Sequence, residues 1–252
     1  MRSISPSSSR FSNSLSPFVL VHGAWHGGWC WERVTKRLEA SGRRVFAPTL
    51  PGCGDRAAEL SRDIGLDSFT DTVIELIARE DLRDVVLVGH SAGGGVIPAP
   101  AARLADRVSR LVFLDAHLPR PGESLLDLSS PKVAEGRRIA AQAHDGGISL
   151  PVPAPIFFGV TDPADAAWMA PLLTPHPLKP MEDALPADAW IPAATRVSYI
   201  RCTDPLYDNV EKSAGRARAH PEWRYEELVT GHNAMVSAPE RLTDMLLELA
   251  QN

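Results

Sequence analysis

The sequence predicts an α/β fold in which a mostly parallel six-stranded sheet is flanked by helices. Short β-rich apolar runs alternate along the chain with segments of helical periodicity, an order typical of parallel sheets. Runs such as Val85–Val88 are apolar without interruption, as expected for strands buried on both faces. The 252 residues, of which 44% are hydrophobic and 23% charged, fit one large globular domain.

Six segments combine a strand-like length with β-branched or aromatic residues. They are Pro17–His22, Arg43–Pro48, Asp84–Gly89, Arg110–Asp115, Arg196–Cys202 and Trp223–Val229. Three segments instead place apolar residues three or four positions apart, which predicts helices with one buried face. They are Trp29–Ala40, Phe69–Ala78 and Glu240–Leu249.

The segment from His117 to Thr195 interrupts this alternation. It holds 13 of the 22 prolines, and its only strand-like stretch is Ile156–Val160. Short helices are predicted over Lys132–Ala143 and Asp165–Leu173. An insertion of this length in a regular α/β chain often covers a functional site, although a variable surface insertion is the alternative.

The expected organisation follows from these patterns. Residues 1–16, with eight serines, two arginines and no acid, predict a disordered tail, with a transit peptide as the alternative. Residues 17–252 form the predicted domain, with a core at 17–116 and 196–252 and a cap at 117–195.

Composition excludes several classes of function. A net charge of −5 leaves no electrostatic footprint for nucleic acid. Glycines and prolines in the uncharged run Val85–Ala102 argue against a membrane span. Three cysteines without paired spacing predict a reducing, cytoplasmic location. Metal-ligand spacings and phosphate loops are not found, so neither a metal nor a cofactor is expected, and the oligomeric state stays open.

A G-x-S-x-G stretch follows the third predicted strand. It reads Gly89-His90-Ser91-Ala92-Gly93, and a serine on a sharp strand-to-helix turn is the geometry of an exposed nucleophile. Ser91 is therefore the predicted nucleophile. Pro98, about two turns into the following helix, predicts a kink or an early break.

A serine nucleophile needs a base and an oxyanion hole. His232 follows the last predicted strand, where the loops of a parallel sheet form sites, and is the predicted base. The backbone N–H groups of Ala24, in a glycine-rich loop after the first strand, and of Ala92 are the predicted oxyanion donors.

Five sequence blocks carry a resemblance. They are FVLVHGAWHGGWCW (18–31), LVGHSAGG (87–94), FLDAHLP (113–119), YIRCT (199–203) and TGHNAM (230–235). With them the chain resembles the α/β-hydrolases of the plant methylesterase and hydroxynitrile lyase group, which has bacterial esterase relatives, from Phe18 to about Leu249. The resemblance implies an α/β-hydrolase fold with a cap between the sixth and seventh strands of the fold, and a Ser-His-Asp esterase.

Three positions separate an esterase from a lyase within that group. Lyases place threonine at the position of Gly23, glutamate at that of His90 and lysine at that of Asn233. Because Asn233 cannot supply the cation that stabilises departing cyanide, an esterase is favoured. A lactone, amide or C–C bond hydrolase and a non-catalytic ligand-binding protein remain alternatives.

Two aspartates compete for the role of the triad acid. Asp115 ends the fourth predicted strand, a position used by some dehalogenases and lactonases of this fold. Asp204 follows the fifth strand, but lies one residue before the acid position of the plant relatives, which is Pro205 here. Asp115 is slightly preferred, and Asp208 is a weaker third candidate.

Aromatic and apolar side chains near these motifs predict the pocket. The candidate wall residues are Trp25, His117, Phe157, Phe158, Trp168, Met169 and Trp190. The cap contains no cluster of basic residues of the kind that would indicate a polyanionic substrate. The expected substrate is therefore a small, neutral ester or lactone with an apolar or aromatic part.

Overall fold

A computed structural model describes residues 15–251 of the chain. Its central sheet has six strands in the order β2-β1-β3-β4-β7-β8, and each neighbouring pair is parallel. These strands are β1 (Phe18–Val21), β2 (Val45–Phe46), β3 (Val85–His90), β4 (Val108–Leu114), β7 (Arg196–Cys202) and β8 (Arg224–Leu228). The predicted sheet is confirmed.

Helices flank this sheet and form part of the segment between β4 and β7. They are α1 (Glu32–Ala40), α2 (Leu66–Arg79), α3 (Pro98–Arg103), α4 (Pro131–Asp145), α5 (Pro163–Met169), α6 (Lys179–Glu182), α7 (Glu211–Arg218), α8 (Ala234–Ser237) and α9 (Pro239–Gln251). Helices α2, α3 and α7 pack on one face, and α1, α8 and α9 pack on the other. The sequence prediction missed α7, a short helix rich in charged residues.

Strand register brings the functional loops to one edge of the sheet. His90 pairs with Leu114, Leu114 pairs with Ile200, and Cys202 pairs with Leu228. Because all these strands run in the same direction, the residues that follow them share the carboxyl edge, where sites form in open α/β sheets.

Pro98 breaks the helix after the third strand, as predicted. A 3-10 turn spans Ser91–Gly95, and α3 begins only at Pro98, which takes the first helical position. Proline suits that position because its missing N–H needs no partner there.

The segment between β4 and β7 contains α4, α5, α6 and an antiparallel pair, β5 (Ser149–Leu150) with β6 (His176–Pro177). The predicted helices in this segment are confirmed as α4 and α5. The strand-like stretch Ile156–Val160 does not form a strand, because Pro155 begins a 3-10 turn that ends at Gly159 with a φ of 70°. A left-handed glycine stops the turn and prevents an extended run.

The Ser-rich tail predicted for residues 1–16 lies outside the described residues, apart from Leu15 and Ser16. Ser16 is buried, and its hydroxyl donates a hydrogen bond to Asp84. Within residues 15–251, no helix has both the length and the apolar character needed to cross a membrane.

Leu87 lies fully buried at the centre of β3. We expect Leu87→Ala to lower the free energy of unfolding by about 2–5 kcal/mol, because it removes apolar contacts and leaves a cavity. Urea denaturation followed by circular dichroism measures the change. Val229→Ala, at an exposed position, serves as the control and should change stability by less than about 0.5 kcal/mol. Equal effects of the two substitutions would contradict this view of the core.

Candidate active site

Ser91 lies on a strained turn directly after β3. Its φ is 53°, in the left-handed region that non-glycine residues rarely adopt. A Cβ atom at Gly89 would lie 2.7 Å from the carbonyl oxygen of Gly93, and one at Gly93 would lie 2.8 Å from that of Val21. The two flanking glycines are therefore needed for the close approach of β1, β3 and the turn.

His232 lies in the loop between β8 and α8 and pairs with a carboxylate. Its Nδ1 is 2.7 Å from Oδ2 of Asp115, and both side chains are buried. Its Nε2 is buried and has no hydrogen-bond partner among the described residues. The ring is thus held from one nitrogen, while the other is free to exchange a proton.

The backbone around Ser91 is tied to this histidine. Nε2 of His90 donates a hydrogen bond to the carbonyl oxygen of His232 at 2.9 Å, and the two ring centroids are 4.6 Å apart. Gly23 lies directly against Ser91, since a Cβ atom at Gly23 would lie 2.7 Å from the Ser91 Cβ. Any larger residue at this position would displace Ser91.

Asp115 accepts hydrogen bonds from two further groups. Oδ1 accepts from Nη1 of Arg201 at 2.5 Å and from the backbone N–H of Cys202 at 3.2 Å. The N–H of Asp115 itself donates to the carbonyl oxygen of Ile200 at 2.7 Å. The carboxylate is therefore oriented from the neighbouring strand β7 and from His232.

Asp204 makes no hydrogen bond to His232, whose Nδ1 is paired with Asp115 instead. Its side chain is exposed, and its backbone N–H donates to the carbonyl oxygen of Thr230 at 3.1 Å. Asp208 is also exposed. The loop after β7 carries both aspartates outward, whereas Asp115 lies directly at the end of its strand.

Arg201 is a site residue that the sequence reasoning missed. Only 1% of its side chain is exposed. Burial alone would lower the pKa of its guanidinium, but the charge of Asp115 and the hydrogen bond to it outweigh burial and raise that pKa. Its Nη1 and Nη2 also lie 3.3 Å from the carbonyl oxygen of Tyr207. A cation near the carboxyl end of a largely buried strand was the available signal, because a buried charge needs a partner.

His26 connects the loop after β1 to the histidine loop. Its Nδ1 donates to the carbonyl oxygen of Ala24 at 2.6 Å, so its Nε2 accepts from Nδ2 of Asn233 at 2.9 Å. Burial lowers the pKa of His26 to about 3, which keeps the ring neutral. Asn233 thus has its amide group fixed on His26.

The two predicted oxyanion donors are buried in one cluster. Ala24 and Ala92 pack together with Trp25. Among the described residues, the N–H of Ala24 has no protein acceptor. An unpaired buried donor beside the serine turn is the arrangement that an oxyanion hole requires.

Aromatic rings cover the histidine. The Tyr207 ring stacks on that of His232 with centroids 3.8 Å apart, and Phe157 lies 5.5 Å from Tyr207 and 5.8 Å from Trp25. Phe158 packs 5.8 Å from Trp25. The structure therefore brings three predicted wall residues together, and it adds Tyr207, which the sequence reasoning did not identify.

His117 contacts the serine turn through its backbone. Its N–H donates to the carbonyl oxygen of Ser91 at 2.9 Å, and its Nδ1 is buried without a partner among the described residues. Burial lowers the pKa of His117 to about 3, and the charges of Arg137 and His232 act in the same direction. The imidazole is therefore neutral at pH 7.

The remaining predicted wall residues are distributed differently. Met169 is fully buried in the cluster that includes Trp25 and Phe158. Trp168 instead contacts Trp29, at 5.4 Å, and the guanidinium of Arg33, at 4.8 Å, so it joins α5 to α1.

Trp190 is 65% exposed and lines a separate cavity of about 630 Å³. Arg110 and Arg196, near the amino ends of β4 and β7, line the same cavity. Within residues 15–251, Trp190 is not among the aromatic rings that pack around His232, and its place in the substrate pocket stays a prediction. No group of three metal-ligating side chains occurs within residues 15–251.

The chain belongs to the α/β hydrolase family, whose pattern matches residues 18–245. An extracellular α/β-hydrolase from a Paenibacillus species has the same fold, with a TM-score of 0.83, 23% identity, and coverage of 94% of this chain and all of that one.

Its relatives define the kind of hydrolase. The chain is 36% identical to a carbendazim hydrolyzing esterase of Nocardioides sp. (strain SG-4G), over 93% of this chain and all of that protein. It is 27% identical to the putative methylesterase 14 of Arabidopsis thaliana, over 96% of this chain and 74% of that protein. The protein is accordingly a carboxylesterase-type hydrolase.

Replacing Arg201 should destabilise the fold. We expect Arg201→Gln to lower the free energy of unfolding by about 3–5 kcal/mol, because it leaves the buried Asp115 carboxylate without its charged partner. Urea denaturation at pH 7 measures the loss. Arg218→Gln, at an exposed surface ion pair, is the control and should change stability by at most about 1 kcal/mol. Full stability of the Arg201 variant would mean that the ion pair is not maintained.

Acid should destabilise the protein through its buried histidines. Burial lowers the pKa of His22 to about 4 and that of His26, His117 and His176 to about 3. In the unfolded chain a histidine binds its proton near pH 6.5. The unfolded state therefore binds more protons between pH 6.5 and about 3–4, and stability falls as the pH falls through that window.

The expected slope is about 1.4 kcal/mol per pH unit for each such histidine. Urea denaturation at pH 7, 6 and 5 measures this slope. His176→Asn should reduce it by the contribution of one histidine, about 1.4 kcal/mol per pH unit. An unchanged slope in that variant would show that His176 is protonated in the folded protein.

Proposed function

We propose that the protein hydrolyses a small carboxylic ester with Ser91 as nucleophile, His232 as base and Asp115 as acid. The observation that carries this proposal is the buried pair of His232 Nδ1 and Asp115 Oδ2, 2.7 Å apart, with Nε2 left free. This is the arrangement by which an aspartate selects the tautomer of a catalytic histidine and stabilises its cation.

The reaction follows from these roles. His232 Nε2 takes the proton of the Ser91 hydroxyl as Oγ attacks the ester carbonyl, and the N–H groups of Ala24 and Ala92 hold the resulting oxyanion. His232 then donates that proton to the departing alcohol, which leaves an acyl group on Ser91. Water, deprotonated by His232, attacks the acyl carbonyl. The bond between the acyl carbon and Ser91 Oγ then breaks, His232 returns the proton to Oγ, and the carboxylic acid product leaves.

The residues around the site favour ester hydrolysis over cyanohydrin cleavage. The amide of Asn233 is held by His26 at 2.9 Å, and it carries no charge that would stabilise cyanide. Gly23 leaves the oxyanion loop open, because it has no side chain beside Ser91. Both features support an acyl oxyanion as the species that the site stabilises.

The walls of the site support a substrate with an apolar or aromatic part. Trp25, Phe157 and Tyr207 form a continuous aromatic surface beside His232. Phe157 comes from the segment between β4 and β7, so we assign that segment, residues 117–195, the role of a cap that selects the substrate. The names of the esterase and methylesterase relatives support an ester as the cleaved group.

Asparagine substitutions at the two aspartates test the triad. We expect Asp115→Asn to lower kcat for p-nitrophenyl acetate by about 10⁴-fold, because the histidine then adopts the wrong tautomer. Asp204→Asn is the matched control and should leave kcat within about twofold, since Asp204 is exposed. Ser91→Ala should abolish the burst of p-nitrophenol that marks the acyl-enzyme.

Circular dichroism and thermal unfolding verify that each variant is folded. A large loss in Asp204→Asn together with a small loss in Asp115→Asn would reassign the acid, and turnover by Ser91→Ala would reject the nucleophile.

A further inference from the structure

Arg137 is a cation on the inner face of the cap helix α4. Ala134 and Ala141, three residues before it and four after it, are the buried residues of this helix. These alanines pack in the cluster that contains Ala24 and Trp25 of the candidate active site. Because residues three and four apart share one helix face, Arg137 lies on the face that α4 turns toward the site.

In the part of the chain that the structure describes, the guanidinium of Arg137 has no anionic partner. Its one hydrogen bond is from Nη1 to Oγ of Ser129, at 3.2 Å, and no carboxylate of residues 15–251 lies within ion-pair distance. The adjacent Arg138 differs, since it is exposed and pairs with Glu182 at 2.8 Å and with Glu135 at 3.8 Å. Of two neighbouring arginines, the inward one is therefore unpaired.

Burial makes that unpaired charge unfavourable. Arg137 is only partly accessible, and desolvation lowers the pKa of its guanidinium. A guanidinium has five N–H donors, so one hydrogen bond to a neutral hydroxyl leaves most of them unused. A desolvated charge is retained in a protein when it meets an opposite charge or serves a function.

The charge of Arg137 affects the pKa of two residues that contact Ser91 and His232. Burial, with a contribution from the charge of Arg137, lowers the pKa of His117 to about 3. Burial raises the pKa of Tyr207, and the same charge opposes that rise. His117 hydrogen bonds through its backbone N–H to the Ser91 carbonyl oxygen, and Tyr207 stacks on His232, so both groups that interact with the Arg137 charge are in contact with the candidate triad.

We propose that Arg137 binds a carboxylate of the substrate, and that the substrate is therefore a monoester carrying a second, ionised carboxyl group. This inference rests on the proposed ester hydrolysis at Ser91. It replaces the neutral substrate that the sequence favoured, because one inward-facing arginine does not form a basic cluster in the sequence. The aromatic surface of Trp25, Phe157 and Tyr207 would contact the part of the substrate between its ester and its carboxylate.

A carboxylate fits this position for two reasons. It can accept two parallel hydrogen bonds from one guanidinium, which fixes orientation as well as charge. It also supplies the anion that α4 lacks on its inner face, while the outer face already has Glu182 and Glu135. Binding would thus offset the free-energy cost of desolvating the Arg137 guanidinium, and it would hold the ester carbonyl at a set distance from this group.

Paired benzene dicarboxylates test the proposal. The monomethyl esters of phthalate, isophthalate and terephthalate carry one ionised carboxyl group at pH 7, and the corresponding dimethyl esters are their neutral counterparts. For each ester, the wild-type kcat/KM is divided by the rate of alkaline hydrolysis, which corrects for intrinsic reactivity. We expect this corrected kcat/KM to be at least tenfold higher for one or more of the monoesters than for the corresponding diester. The three isomers vary the distance between ester and carboxylate.

Substitutions then assign the preference to Arg137. Arg137→Met removes the charge and keeps an unbranched stem, and we expect it to lower the monoester-to-diester ratio by about tenfold to a hundredfold. Arg137→Lys keeps the charge without the planar fork and should give a smaller loss. Arg138→Met is the matched control and should leave the ratio unchanged.

A binding measurement separates this proposal from the proposed hydrolysis. Isothermal titration calorimetry of wild type and Arg137→Met with the three dicarboxylates does not depend on turnover. Weaker binding to the variant supports Arg137 as the carboxylate site even if no ester is cleaved, and cleavage of the diesters alone supports the esterase and not this site. Absence of a monoester preference in wild type, together with equal dicarboxylate binding by both proteins, would overturn the proposal.

Discussion

The buried carboxylate of Asp115 is the group on which the arrangement of this site depends. It accepts hydrogen bonds from His232, Arg201 and the backbone of Cys202, so its charge is balanced although it has no contact with solvent. Arg201 and Cys202 end strand β7, whereas His232 lies in the loop after β8. The carboxylate therefore aligns the histidine loop with β7. Arg201 also donates a hydrogen bond to the carbonyl oxygen of Tyr207, which links that residue to the same group of contacts.

Exclusion of water strengthens these contacts. Ser91 is only 7% exposed, and the stacked ring of Tyr207 covers the imidazole of His232. Hydrogen bonds and charges interact more strongly where water is absent, and fixed donors then need little reorganisation as charge develops. Burial keeps His26 and His117 neutral, so their rings add no positive charge to the site.

The segment between β4 and β7 gives the site its selectivity under the two proposals made above. It supplies Phe157 to the aromatic surface and Arg137 to the inner face of α4, and its many prolines begin short helices and turns instead of strands. The sheet and its edge loops carry the reacting groups. The general reaction and the choice of substrate thus arise from different parts of the chain.

Local patterns in the sequence were sufficient for the parallel sheet, the serine turn and the break at Pro98, because each depends on neighbouring residues. Tertiary structure was needed to show which aspartate contacts His232, since Asp115 points inward after its strand and Asp204 is exposed. Arg201 lies 86 residues from Asp115, and its role depends on burial that no local pattern records. Arg137 and Arg138 are adjacent arginines in the sequence. The packing of α4 decides that Arg137 lies on its inner face and Arg138 on its outer face.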